Sequence, residues 1–117
     1  MTIIYLKKVR VYFEYLIPKL HDLGYFSYPE TAKRYVDDIF TEIEKQLPIQ
    51  IPRPAPVHFE KYGKGMKYIV IRKNKRTHWY IFFKTTQKDG ETIYKVRYVS
   101  NNHVNCALFV INFHHNN

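Results

Sequence analysis

The hydrophobic pattern of this chain changes its period once, and that change limits the folds open to it. Up to Leu47 the apolar residues recur at helical spacing, and from Met66 onward they fall in β-prone runs. Four of the six prolines lie between the two patterns, in residues 48–56. Neither side holds enough apolar residues to fold alone. The 48–56 stretch therefore reads as an extended connector inside one domain covering 1–117.

In the first pattern Val9, Tyr12, Phe13, Leu16, Ile17, Leu20 and Leu23 form one helical stripe. Pro18 lies within it and cannot donate to the carbonyl of Glu14, which predicts a kink or break. Gly24 suits the stop. A second helix begins where Ser27 and Glu30 have capping-box spacing and Pro29 suits a first turn. Ala32, Val36, Ile39, Phe40, Ile43 and Leu47 give its buried stripe, and Pro48 ends it. Lys33–Asp37 and Arg34–Asp38 are i,i+4 pairs on its outer side. A short loop between the helices predicts an antiparallel hairpin.

The rest reads as β-structure. Residues 2–6 are a first short strand, and 58–65 a turn or short helical segment. Strands are expected at 66–72, 77–86 and 92–100, with Asp89-Gly90 as a hairpin turn. Residues 104–113 are apolar without a period that separates strand from helix, so 105–117 is either a tail or an extra element. The order is β-α-α-β-β-β. It predicts a two-layer α+β domain, with the helical hairpin on one face of an antiparallel sheet and the other face partly open. Strand 77–86 is apolar on both sides and should be central. Alternation along 92–100 places Tyr94, Val96 and Tyr98 on one face and Lys95 and Arg97 on the open one.

The charge divides along the same line. Residues 1–52 carry seven Lys and Arg against seven Asp and Glu, while 53–117 carry twelve against three, so the whole net charge of +9 sits in the sheet half. That half also holds five of the six His. A neutral helical scaffold joined to a basic, aromatic sheet points to a polyanionic partner. The single cysteine, Cys106, excludes a disulfide within the chain and fits a reducing compartment. The N-terminal residues become charged too soon for a signal peptide, and no apolar run reaches the ~20 residues that span a bilayer. The expectation is a cytoplasmic protein with no membrane partner.

Arg72, Lys73, Lys75 and Arg76 put four cations at one hairpin tip. They suit phosphate contacts, or else a solvated turn that guards a sheet edge. Lys95 adds a cation on the open face, and Trp79 is either a stacking platform for bases or core. Arg97 and His103 bracket the end of the last strand. RNA cleavage needs a base for the 2′-hydroxyl, an acid for the leaving 5′ oxygen and cations on the crowded phosphate, and His serves either proton step. The alternative for His103 is a hydrogen-bonded surface residue. His58 and His78 are weaker candidates, and His114 and His115 fall in a tail. No His has Cys or carboxylate neighbours at metal-ligand spacing, so no metal is expected. No cofactor is expected either: Gly63-Lys64-Gly65 reads as a turn rather than a phosphate cradle.

The element order, the basic composition and the ending TIYKVRYVSNNH resemble the RelE/ParE superfamily of type II toxin–antitoxin toxins. The resemblance is nearest to small bacterial members with stretches like GYFSYPETAKRYVDDI, PAPVHFEKYGKGMKY and KNKRTHWYIFF. It covers roughly residues 2–104. It implies a toxin neutralised by a cognate antitoxin encoded nearby. RelE-like members cut mRNA in the ribosomal A site, using Lys and Arg on the sheet and a Tyr or His near the last strand. ParE-like members share the fold and inhibit DNA gyrase without catalysis. By position Arg76 matches an arginine at the start of the middle strand, Lys67 a lysine of the preceding strand, and His103 the catalytic residue after the last strand. Arg97 is the basic residue on that strand. The C-terminal Tyr of RelE itself has no match here, since Phe109 stands there. The resulting expectation is a metal-independent, ribosome-dependent mRNA endonuclease. A gyrase inhibitor and a noncatalytic RNA-binding module are the alternatives.

Overall fold

Both helices form where the stripes predict them. In the computed structural model, which describes residues 1–22, 24 and 27–102, α1 spans Lys7–Asp22 and α2 spans Pro29–Gln46. α1 buries Val9, Phe13 and Leu16, and α2 buries Val36, Ile39 and Ile43. Contrary to expectation, α1 runs unbroken through Pro18. Pro18 is exposed on the outer face, where water can serve the Glu14 carbonyl, while Leu16 and Leu20 hold the inner face against the core. The capping box also fails. The residue preceding α2 is Tyr28, and no side chain caps the helix. Pro29 at its start needs no N–H partner, so a cap is less necessary there. Lys33 and Asp37 pair at 2.7 Å on the outside.

Among the described residues the sheet is five-stranded: β1 (Thr2–Tyr5), β2 (Arg53–Pro54), β3 (Lys67–Arg72), β4 (His78–Lys88) and β5 (Glu91–Asn101), in the order β1-β5-β4-β3-β2. β4 is central, as its apolar faces predict. The sheet is mixed rather than wholly antiparallel, because β1 pairs parallel with β5. The helical hairpin and the strands after it form the long crossover that such a pairing needs. The two-residue β2 hides in the proline connector. Pro54 cannot donate, but at an edge it does not have to. Asp89 and Gly90 both have left-handed backbones, φ 53° and 79°, as a type I′ hairpin turn demands.

The sheet has an inner face against the helices and a far face. Trp79, Ile81 and Phe83 of β4 point inward with Ile69 and Ile71 of β3, all at most 2% exposed. By alternation Tyr68, Val70 and Arg72, with His78, Tyr80 and Phe82, lie on the far face. In β5 the alternation slips. Phe82 pairs with Tyr98 and Phe83 with Val96, so Arg97 is an extra residue in a β-bulge. Arg97 and Tyr98 consequently reach the same far-face segment, and the expectation that they oppose each other is corrected.

That segment is a 3-10 helix, Val57–Tyr62, which covers half of the far face. Phe59 stacks on Phe82 at 4.4 Å, and Tyr62 lies almost parallel to Tyr98 at 3.9 Å. Toward the β3–β4 turn the far face is open: Tyr68, Val70 and Tyr80 are half-buried and Arg72 is exposed.

Candidate nucleic-acid interface

The open half is built by cross-strand register. Arg53 of β2 pairs with Tyr68, Val70 pairs with Tyr80, and Arg72 pairs with His78. Each pairing places two side chains together on one face, so cations and rings from three strands converge. β2 is too short to cover the rest of β3, and a side chain takes over. Gln50, one turn beyond α2, donates from Nε2 to the Val70 carbonyl at 2.9 Å and accepts from the Val70 N–H at 3.0 Å. Its amide thus occupies the place of a further strand residue.

Around this edge runs a cleft of about 700 Å³. Arg53, Arg72, His78, Tyr68 and Tyr80 line it from the sheet. Glu42 and Gln46, at the end of α2, line it from the helix side. The volume lies in the range of small-ligand sites. Two arginines and a histidine against one carboxylate make it favourable to anions.

The hairpin tip beside the cleft is held by two asparagines. Asn74 Oδ1 accepts from the N–H groups of Arg76 and Thr77 at 2.8 and 3.0 Å. Asn102 accepts from the His78 N–H at 2.8 Å and donates from Nδ2 to the Arg76 carbonyl at 2.8 Å. The Asn102 N–H also bonds the His78 carbonyl. The sequence alone does not show this clamp. Its signal was the pairing of a polar turn with a polar strand end, which needs the register to interpret.

The expected site residues divide. Arg72, Lys75 and Arg76 stand exposed at the open end. Lys73 lies over the Tyr35 ring at 4.8 Å, on the side of α2. Lys67 shares its parity with the inward Ile69 and Ile71 and sits at the opposite end of β3 from Arg72. Lys95 pairs with Lys84 well down β4. Arg97 is half-buried, and its Nε donates to the Tyr62 carbonyl at 2.8 Å. It works as a strut between the bulge and the 3-10 helix. Gly63 lets it pass: a Cβ there would lie 2.6 Å from Arg97 Nε. The four candidate catalytic residues therefore do not assemble among the described residues. Arg76 stands apart from Lys67 and Arg97, and His103 and the apolar stretch 104–113 lie outside those described.

Trp79 is a correction. It has no exposed surface, packs against Tyr12 and Phe13, and donates from Nε1 to the Tyr35 hydroxyl at 3.3 Å. No base can stack on it, because its inward parity gives it to the core. Tyr80, its neighbour, lies on the far face and lines the cleft instead.

The covered half has a different character. Burial pushes the Tyr98 phenol well above its ordinary value of about 10, and the adjoining Tyr62 adds to the rise. The Tyr62 hydroxyl is itself buried and has no well-aligned partner among the described residues.

Among the described residues no group of three or more His, Cys, Asp or Glu could hold a metal ion, and no helix is long and apolar enough to cross a membrane. No family model, curated protein or solved structure matches this chain. The functional reading therefore rests on the chemistry of the site.

Proposed function

We propose that the protein is a toxin of the RelE/ParE type that cuts mRNA on the ribosome, works without a metal, and is held inactive by an antitoxin encoded nearby. One observation carries the reading. Register brings Arg53, Arg72 and His78 together with Tyr68 and Tyr80 around one open cleft. Arginines hold phosphates through charge-assisted bonds, and exposed rings stack on unpaired bases. His78 can take part in proton transfer beside them. His103 follows directly after Asn102, which is hydrogen-bonded to His78. One imidazole takes the proton from the 2′-hydroxyl, whose oxygen attacks the phosphorus. The other gives a proton to the departing 5′ oxygen, leaving a 2′,3′-cyclic phosphate. Arg72 and Arg76 stabilise the charge that builds on the phosphate.

The test is primer extension on an abundant transcript after induction. Wild type should leave cut mRNA and halt translation, and His103→Gln should not. Intact transcripts with gyrase trapped on DNA would replace this reading with the gyrase inhibitor. Binding to ribosomes should weaken steeply with salt and fall further when Arg72, Lys73, Lys75 and Arg76 are neutralised together. Unchanged binding in that variant would remove the hairpin tip from the site. Co-expression with the adjacent reading frame should yield a stable complex, and its absence would count against an antitoxin.

A further inference from the structure

The helix wall of the cleft carries chemistry that phosphate binding does not use. Glu42 and Gln46 are i,i+4 neighbours on the last turns of α2, so their side chains share one face. Gln50 fixes the orientation of Gln46. The Nε2 of Gln50 reaches Gln46 Oε1 at 3.4 Å, which makes that oxygen the acceptor. The Gln46 amide nitrogen is then left as a donor with no partner among the described residues. Among the described residues the Glu42 carboxylate meets only Lys45, at 3.9 Å. Side by side the two groups offer one donor and two acceptor oxygens.

We propose that this cleft selects guanosine in single-stranded RNA: Gln46 and Glu42 read the base edge, Tyr80 supports the ring, and Arg53 and Arg72 hold the flanking phosphates. The proposal rests on reading the cleft as an RNA surface. Guanine presents O6, N1–H and N2–H in a row. O6 accepts from the Gln46 amide, and the two N–H groups donate to the two Glu42 oxygens. Adenine offers one donor and one acceptor along the same edge, and cytosine one donor and two acceptors, so neither supplies the two adjacent N–H groups that the carboxylate takes from guanine. Uracil offers one N–H between two acceptors, one of which faces the carboxylate. The negative end of α2 favours the donating edge of guanine, and the arginines across the cleft favour the phosphate.

The test needs no ribosome. The full chain is titrated with 5′-GMP, 5′-AMP, 5′-CMP, 5′-UMP and inorganic phosphate, followed by amide chemical shifts. The same series is run on Glu42→Gln, which changes a half-buried acceptor and leaves the arginines alone. GMP should bind about tenfold more tightly than the other nucleotides, the size of one good bidentate base contact. Glu42→Gln should remove that margin while inorganic phosphate binds no more weakly than before, since the change takes a negative charge from the cleft. A five-nucleotide single strand with one G should bind more tightly than GMP, and the same strand with A in its place should lose the gain. Equal binding of all four nucleotides, or no binding, overturns the proposal. So does a GMP preference that survives Glu42→Gln. GMP binding that the G-containing strand fails to match would make this a free-nucleotide site and overturn the RNA assignment. mRNA cleavage without any guanine preference would sink this inference alone, whereas guanine selection without cleavage would sink the nuclease alone.

Discussion

The two halves of the far face share strands but not tasks. Under the 3-10 helix, Phe82 and Tyr98 are closed off by Phe59 and Tyr62, and Arg97 spends its Nε on a backbone carbonyl. Toward the β3–β4 turn the same strands present Tyr68, Tyr80, Arg72 and His78 to solvent in an unroofed cleft. A cation or ring on this face is therefore structural or available according to which side of Phe82 it occupies. Residue type alone does not decide it.

The largest effect should come from the covered half. Phe82→Ala removes a ring stacked under Phe59 and should cost about 3–5 kcal/mol of stability, read by urea denaturation. A cost below about 1 kcal/mol would show that the roof is loose and the two halves alike. Next come the two imidazoles of the proposed reaction. His78→Gln and His103→Gln should each lower mRNA cleavage roughly 10²-fold, about 2.7 kcal/mol in barrier, with the melting temperature little changed. Cleavage undiminished in either variant would take that imidazole out of the reaction.

A third variant probes the strut. Gly63→Ala forces a Cβ into Arg97 and should destabilise by about 1–3 kcal/mol. In an Arg97→Ala background the steric part of that penalty should shrink. Additive losses would mean that the two residues do not meet. A smaller effect concerns Arg53 and Arg72. Each change to Ala should reduce the salt slope of RNA binding by about 1 while stability shifts by less than about 0.5 kcal/mol. Unfolding caused by either would place it with Arg97 instead. Last, the raised Tyr98 phenol links the covered half to pH. Its neutral form is favoured in the fold, so its contribution is full below pH 10 and is lost as pH rises beyond that. Tyr98→Phe should flatten the alkaline decline without altering RNA affinity at neutral pH.

The helical stripes and the central strand were legible because burial follows period, and tertiary contacts agreed with both. Three features were not. The bulge at Arg97 leaves the sequence looking like perfect alternation, since an extra residue shows only against the partner strand. β2 was hidden by Pro54, which reads as a break until the edge position removes its obligation to donate. The parallel pairing of β1 depends on contacts just over ninety residues apart, such as Thr2 opposite Ile93, and local pattern cannot report them. At the site, the basic tip was visible from composition. Whether Trp79 or Tyr80 faces the open cleft turned on one step of register.

Gln50 has a consequence of another kind. An amide side chain that satisfies both backbone groups of Val70 ends the sheet without adding a strand. Replaced by Ala, it would leave a bare N–H and C=O at an edge bordered by exposed Ile49 and Ile51, 71% and 89% accessible. Such an edge invites a strand from a second molecule. A single glutamine thus stands between a sheet that stops and one that can grow by self-association, so the solubility of the chain and the openness of its cleft depend on the same side chain.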